Sequence, residues 1–143
     1  MSDDIESLLR GAKEARTVGH LAEARRGYER AAELARVVGN SRLLAHALRH
    51  MSDIDRKDGR PAEALASARE AVELYRALAG SSPLELANAL RITGLAWQDL
   101  GEAGEASSTW REARSLYMQV GIQAGVEECD VNLSRITSLG RSQ

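Results

Sequence analysis

Three stretches of this chain lie over one another in register. Leu21, Ala24, Tyr28, Ala31, Leu34, Ala35 and Val38 recur as Pro61, Ala64, Ala68, Ala71, Leu74, Tyr75 and Leu78. They recur again as Ala103, Ala106, Trp110, Ala113, Leu116, Tyr117 and Val120, at offsets of 40 and then 42 residues. A fixed period of roughly 20–50 residues marks stacked supersecondary units rather than one closed globule.

Within each set the spacing alternates between three and four residues, which draws one stripe along an α-helix. A second series lies between them. Leu8, Ala12, Ala15 and Val18 correspond to Leu48, Ser52, Asp55 and Asp58, and to Leu90, Gly94, Trp97 and Leu100. Gly19, Gly59 and Gly101 close this series where a left-handed C-terminal residue is expected. Each unit therefore reads as helix A, a glycine turn and helix B. The helices are predicted near 3–18, 20–38, 41–58, 61–79, 83–100, 103–120 and 123–139, forming one all-α domain over residues 1–143 with repeats at about 3–38, 41–79 and 83–120. The punctuation agrees: Ser82-Pro83-Leu84-Glu85 offers an N-cap, a first-turn proline and a reciprocal glutamate, and Pro61 opens another helix.

Small residues are expected at the helix crossings. Ala24, Ala64 and Ala106 on helix B face Ala12, Ser52 and Gly94 on helix A, with Tyr28, Tyr75, Trp110 and Tyr117 filling the space between units. The final segment, 123–139, keeps Val126, Cys129, Leu133 and Ile136 on one face and Glu127, Glu128, Asp130 and Arg135 on the other. It reads as a helix capping the third unit, as an open stack requires. Asp55 and Asp58 occupy positions that are apolar in the other repeats. Helix A of unit two is expected to fray or reach water there, or to pair with a nearby arginine.

Composition narrows the function. The chain is 43% hydrophobic and 28% charged, the profile of a soluble folded protein. A net charge of −2 and a pI near 5.9 argue against a general nucleic-acid binder. The single Cys129 fits a reducing compartment. The acidic opening MSDDIESLL lacks the charged and apolar regions of a signal peptide, and no apolar run reaches the roughly 20 residues of a membrane span. The cytoplasm is the expected location.

In this register the chain resembles the tetratricopeptide repeat family. The matching residues are Leu8, Leu48 and Leu90 early in helix A, the small Ala12, Ser52 and Gly94 four later, and the turn glycines. The helix B pairs Ala24/Ala31, Ala64/Ala71 and Ala106/Ala113 match too, with Tyr28 and Trp110 between them; unit two departs by carrying Ala68 there. The period exceeds the family's usual one, as in kinesin light chains and many bacterial signalling and regulatory proteins. The resemblance implies a right-handed α-solenoid of three repeats plus the capping helix. It leaves function open, because one fold hosts many roles.

No phosphate loop, nucleophile elbow, H-E-x-x-H or paired Cys-x-x-Cys is present, so neither an enzyme nor a cofactor is expected. His46 and His50 share a helix face at metal-ligand spacing without an evident third ligand, and read as surface or groove histidines. Cys129 reads as a small buried hydrophobe. The stronger signal is electrostatic. In stacks of the resembled family, helix A residues beside the core seam line a concave groove. Here that stripe holds Glu6, Leu9, Lys13, Arg16 and Thr17, then His46, Arg49, Asp53, Arg56 and Lys57, then Asn88, Arg91, Leu95, Gln98 and Asp99. Six basic residues stand against three acidic on a chain whose total is negative. His50 borders the stripe and is expected to add charge below about pH 6.5.

Guanidinium forks bind carboxylates in pairs of hydrogen bonds, so Lys13, Arg16, His46, Arg49, His50, Arg56, Asn88, Arg91 and Gln98 are the candidate binding residues for an acidic or amphipathic segment of a protein partner. The family's carboxylate clamp carries asparagine where Lys13 and His50 stand here, so that particular arrangement is not expected. A structural module that self-assembles through the open ends or outer surface of the stack is the competing reading, and a sensor subunit of a bacterial regulatory system a third; the chain is expected to be a monomer or a weak homo-oligomer.

Overall fold

The computed structural model describes residues 2–141, with side chains over 4–139, and contains among these residues seven α-helices and no strand. They are α1 (Ser2–Thr17), α2 (Leu21–Val38), α3 (Ser41–Lys57), α4 (Pro61–Ala77), α5 (Pro83–Asp99), α6 (Ala103–Val120) and α7 (Gln123–Arg141). Each packs on the next along the chain, and α3 also touches α5. Short turns make consecutive helices antiparallel neighbours. The result is a helical-repeat solenoid in which α1, α3, α5 and α7 are the A helices and α2, α4 and α6 the B helices.

All three A-to-B turns close alike. Gly19, Gly59 and Gly101 take φ values of 86°, 75° and 76°, a region where a β-carbon would clash. The next amide donates back five residues: His20 to Ala15 at 2.8 Å, Arg60 to Asp55 at 2.9 Å and Glu102 to Trp97 at 2.9 Å. These bonds satisfy carbonyls that the helix end leaves open. The α4–α5 connection holds the two residues that lengthen the period from 40 to 42. There the chain leaves α4 extended at Leu78, turns at Gly80, and Ser81 Oγ donates to the Tyr75 carbonyl at 3.0 Å. Ser82 then caps α5, accepting from the Leu84 amide at 3.0 Å. Glu85 does not complete the expected reciprocal cap. Its carboxylate receives Arg42 of α3 at 2.9 and 3.0 Å, a charged partner that a backbone amide does not match.

Packing at the crossings is close. A β-carbon on Gly94 would lie 2.8 Å from the Trp110 ring, and one on Gly27 would lie 2.9 Å from that of Ala12. Ala12 therefore opposes Gly27, while Ala24, Ala64 and Ala106 are fully buried. Asp55, the predicted exception to the apolar pattern, is 1% exposed. Arg25 of α2 grips it with Nε at 2.7 Å and Nη2 at 3.3 Å, and Arg60 adds a third bond at 2.9 Å. The arginine alternative holds for Asp55, and the carboxylate raises the Arg25 pKa further. Asp58 lies just beyond the end of α3, exposed to water.

The end helices are built differently from the inner ones. The stripe Leu44, Ala47, Met51 and Ile54 of α3 corresponds to Leu86, Ala89, Thr93 and Ala96 of α5 and to Val126, Cys129, Leu133 and Ile136 of α7; all are buried or half-buried. In α1 the same positions are Asp4, Ser7, Gly11 and Glu14, all exposed. The stripe that meets the following B helix runs Leu8/Ala12/Ala15, Leu48/Ser52/Asp55 and Leu90/Gly94/Trp97. In α7 it becomes the exposed Asp130/Ser134/Thr137. At these positions each end helix is apolar toward the inside of the stack and polar toward the outside, as a cap must be. Cys129 is fully buried in the last seam, and burial pushes its thiol up to about 11.

Ion pairs also repeat with the units. Arg36 of α2 holds Glu70 of α4 at 2.7 and 3.2 Å, and Arg76 of α4 holds Glu112 of α6 at 2.5 and 2.8 Å. Among the described residues no helix is long and apolar enough to cross a membrane.

Candidate ligand-binding trough

The A-helix residues predicted to line the concave side fall into two electrostatic regions. The first is contributed by α1 and α3. Lys13 is exposed, Arg16, His46 and Arg49 are half-buried, and His50 is 8% exposed. His50 stacks on Tyr28 of α2 with ring centroids 4.9 Å apart, and His46 meets its edge at 4.6 Å. Arg49 Nη2 lies 3.2 Å from His50 Nε2, a contact that requires the ring nitrogen to accept and puts the imidazole proton on Nδ1.

This environment overturns the expected behaviour of His50. Burial, then the Arg49 charge, then His46, Arg16 and Lys13, push its pKa down to about 2. Burial and the same three cations push His46 down to about 4. Both rings are neutral at pH 7, and His50 adds no charge below pH 6.5. It is also no surface histidine, because the tyrosine stack holds it inside. Among the described residues, no group of three His, Cys, Asp or Glu gathers around the pair.

Among the described residues Lys13, Arg16 and Arg49 contact no carboxylate, and the Nε–H groups of Arg16 and Arg49 are buried without an acceptor. A buried donor left unsatisfied costs about 1–3 kcal/mol, so each of these groups favours an incoming acceptor.

The second region, on α5, is already occupied from within. Arg91 Nε donates to Glu128 of α7 at 2.6 Å, which raises its pKa. Gln98 accepts from the Trp110 indole at 2.5 Å and donates to Asn132 of α7 at 3.2 Å, tying three helices together. Asn88 accepts from the Tyr117 hydroxyl at 2.7 Å. Between the regions, Asp53 lies 3.2 Å from Lys57 and 3.9 Å from Arg56, and Arg56 reaches Asp99 at 3.5 Å. Arg56 is thus balanced by carboxylates. The aromatic and amide network was not foreseen; Asn132, a polar residue in the buried stripe of the cap, is its one visible trace in the sequence.

Residues 15–77 match the tetratricopeptide repeat family. No curated protein matches the chain. Among solved structures, the crystal structure of a TPR-like protein from Chlorobium tepidum resembles it with a TM-score of 0.79 at 16% identity, covering 95% of this chain and 96% of that one. That likeness bears on the fold alone. The matched segment covers one B helix, the next complete A–B unit and the end of the helix before them, and the same register continues through α5 and α6. Over residues 15–77 the chain is similar to the tetratricopeptide repeat family, and the whole of its described length folds as a helical-repeat solenoid.

Proposed function

We propose that this chain is a non-catalytic interaction module that holds an acidic segment of a partner protein against Lys13, Arg16 and Arg49. Tetratricopeptide repeats mediate protein–protein interactions, and the concave side of the stack is the surface that all A helices share. The observation that carries the reading is that, among the described residues, no carboxylate stands beside these three cations, while most other arginines have one. Two buried Nε–H donors supply the directional part of recognition, since each charge-assisted bond contributes about 1.5–3 kcal/mol. The neutral His50, met at its edge by His46, holds Arg49 in place without adding charge. Arg56, Asn88, Arg91 and Gln98 shape the rest of the trough.

The test is calorimetric titration with ten-residue peptides rich in Asp and Glu, and with a basic set as control. An acidic peptide should bind, more weakly at high salt. Arg49→Glu should lower its affinity at least about a hundredfold, because an attraction becomes a repulsion at a half-buried site. Arg91→Glu should change it less than about fivefold, since Glu128 already neutralises Arg91. Unchanged binding in Arg49→Glu would remove this trough as the site.

A further inference from the structure

The outward side of α7 differs from that of every other A helix. Elsewhere an A helix is followed by an antiparallel helix, but the exposed side of α7 has no such cover within the described residues. Val131 and Leu139, 48% and 65% exposed, line a shallow concavity there with Asp130, Ser134 and Arg135. Glu127 stands four residues before Val131 and Arg135 four residues after it, so all three share one face. Among the described residues neither Glu127 nor Arg135 has an ion-pair partner, although Glu128 and Asp130 on the same helix are paired with Arg91 and Arg114.

We propose that the outer face of α7 is a self-association surface, and that a second copy docks its own α7 there, antiparallel, about a two-fold axis at Val131. The charge order selects this arrangement. A two-fold axis at Val131 sets Glu127 beside Arg135 of the partner subunit, and the symmetry repeats the pair. Parallel pairing sets Glu127 beside Glu127 and Arg135 beside Arg135, which repel. The antiparallel direction also continues the alternation of the stack. Nineteen helical residues span about 28 Å. One helix pair of that length lies below the roughly 1,200 Å² of a stable interface, so the dimer is weak and reversible. This inference concerns a face remote from the trough and does not depend on the trough reading.

Sedimentation equilibrium of the full chain from 10 µM to 1 mM, at about 50 and 500 mM NaCl, tests it. A monomer–dimer equilibrium that weakens at high salt is expected. Glu127→Arg and Arg135→Glu should each weaken it about tenfold or more, since each change replaces two attractions with two repulsions. The double variant should return to within about threefold of the parent. Val131→Cys should give a covalent dimer with oxidised glutathione, because a residue on the axis meets its own copy, while the buried Cys129 of the parent should give none. All three substituted positions are solvent-exposed, and unchanged circular dichroism shows that each variant folds. A strict monomer at 1 mM, a dimer indifferent to the single reversals, or a double variant that fails to recover would each overturn the proposal.

Discussion

The two halves of the trough carry similar residues and use them in opposite ways. On α1 and α3, Lys13, Arg16 and Arg49 gather over neutral histidines with no carboxylate among them. On α5, Arg91, Gln98 and Asn88 bond to Glu128, to Trp110 and Asn132, and to Tyr117. The difference arises from the following helices. Helix α7 brings an acid and an amide to the third unit, and nothing equivalent crosses to Lys13, Arg16 or Arg49. A polar residue on a concave face is available to a ligand only when the next unit has not already engaged it.

Acid should separate the halves most strongly. Histidines whose pKa lies below 6.5 in the folded chain bind fewer protons than they do unfolded, so their effect on stability is absent above pH 6.5 and destabilising as pH falls toward 4. Urea unfolding at pH 6.5 and pH 5 should differ by about 3 kcal/mol, and His46→Gln should remove about half of that. Equal pH dependence in His46→Gln would mean that the first half does not hold its imidazole neutral. The second half should respond to Gln98→Leu, which strands the Trp110 indole and Asn132 and destabilises the fold by about 1.5 kcal/mol. Acidic-peptide affinity should stay within about twofold in that variant; a large loss would make Gln98 a ligand contact. The smallest effect sharpens the contrast. Glu128→Gln frees Arg91 and should raise acidic-peptide affinity about threefold, measured by the same titration, whereas no change would mean that Arg91 lies beyond the ligand's reach.

The helices, turns and cap were legible because they follow from local spacing. Predicted ends fell within two residues: α1, α3, α4 and α5 stop one or two residues early, ahead of a glycine turn, while α7 runs two residues further. The face of each A helix was legible too, since one register fixes it. Which residues are already engaged was harder to read. Arg42–Glu85, Arg91–Glu128 and Gln98–Asn132 join residues 43, 37 and 34 apart, and no single offset predicts them, because axial stagger between units sets the match. The B-helix pairs were more accessible. Arg36 and Arg76 superpose in the repeat, as do Glu70 and Glu112, with Arg30 and Met118 at the unmatched ends. His50 was misjudged for a different reason: its stack on Tyr28 depends on how deeply α3 sits against α2, and spacing within one helix carries no measure of depth.

The lone thiol sits where it can keep time for the molecule. Cys129 is sealed between the last helix and its neighbours and held protonated by that seal, so an alkylating reagent reaches sulfur only while the final rod is detached. In a linear array whose rods grip only their neighbours, opening begins at an end, and the alkylation rate reports how often this end lets go.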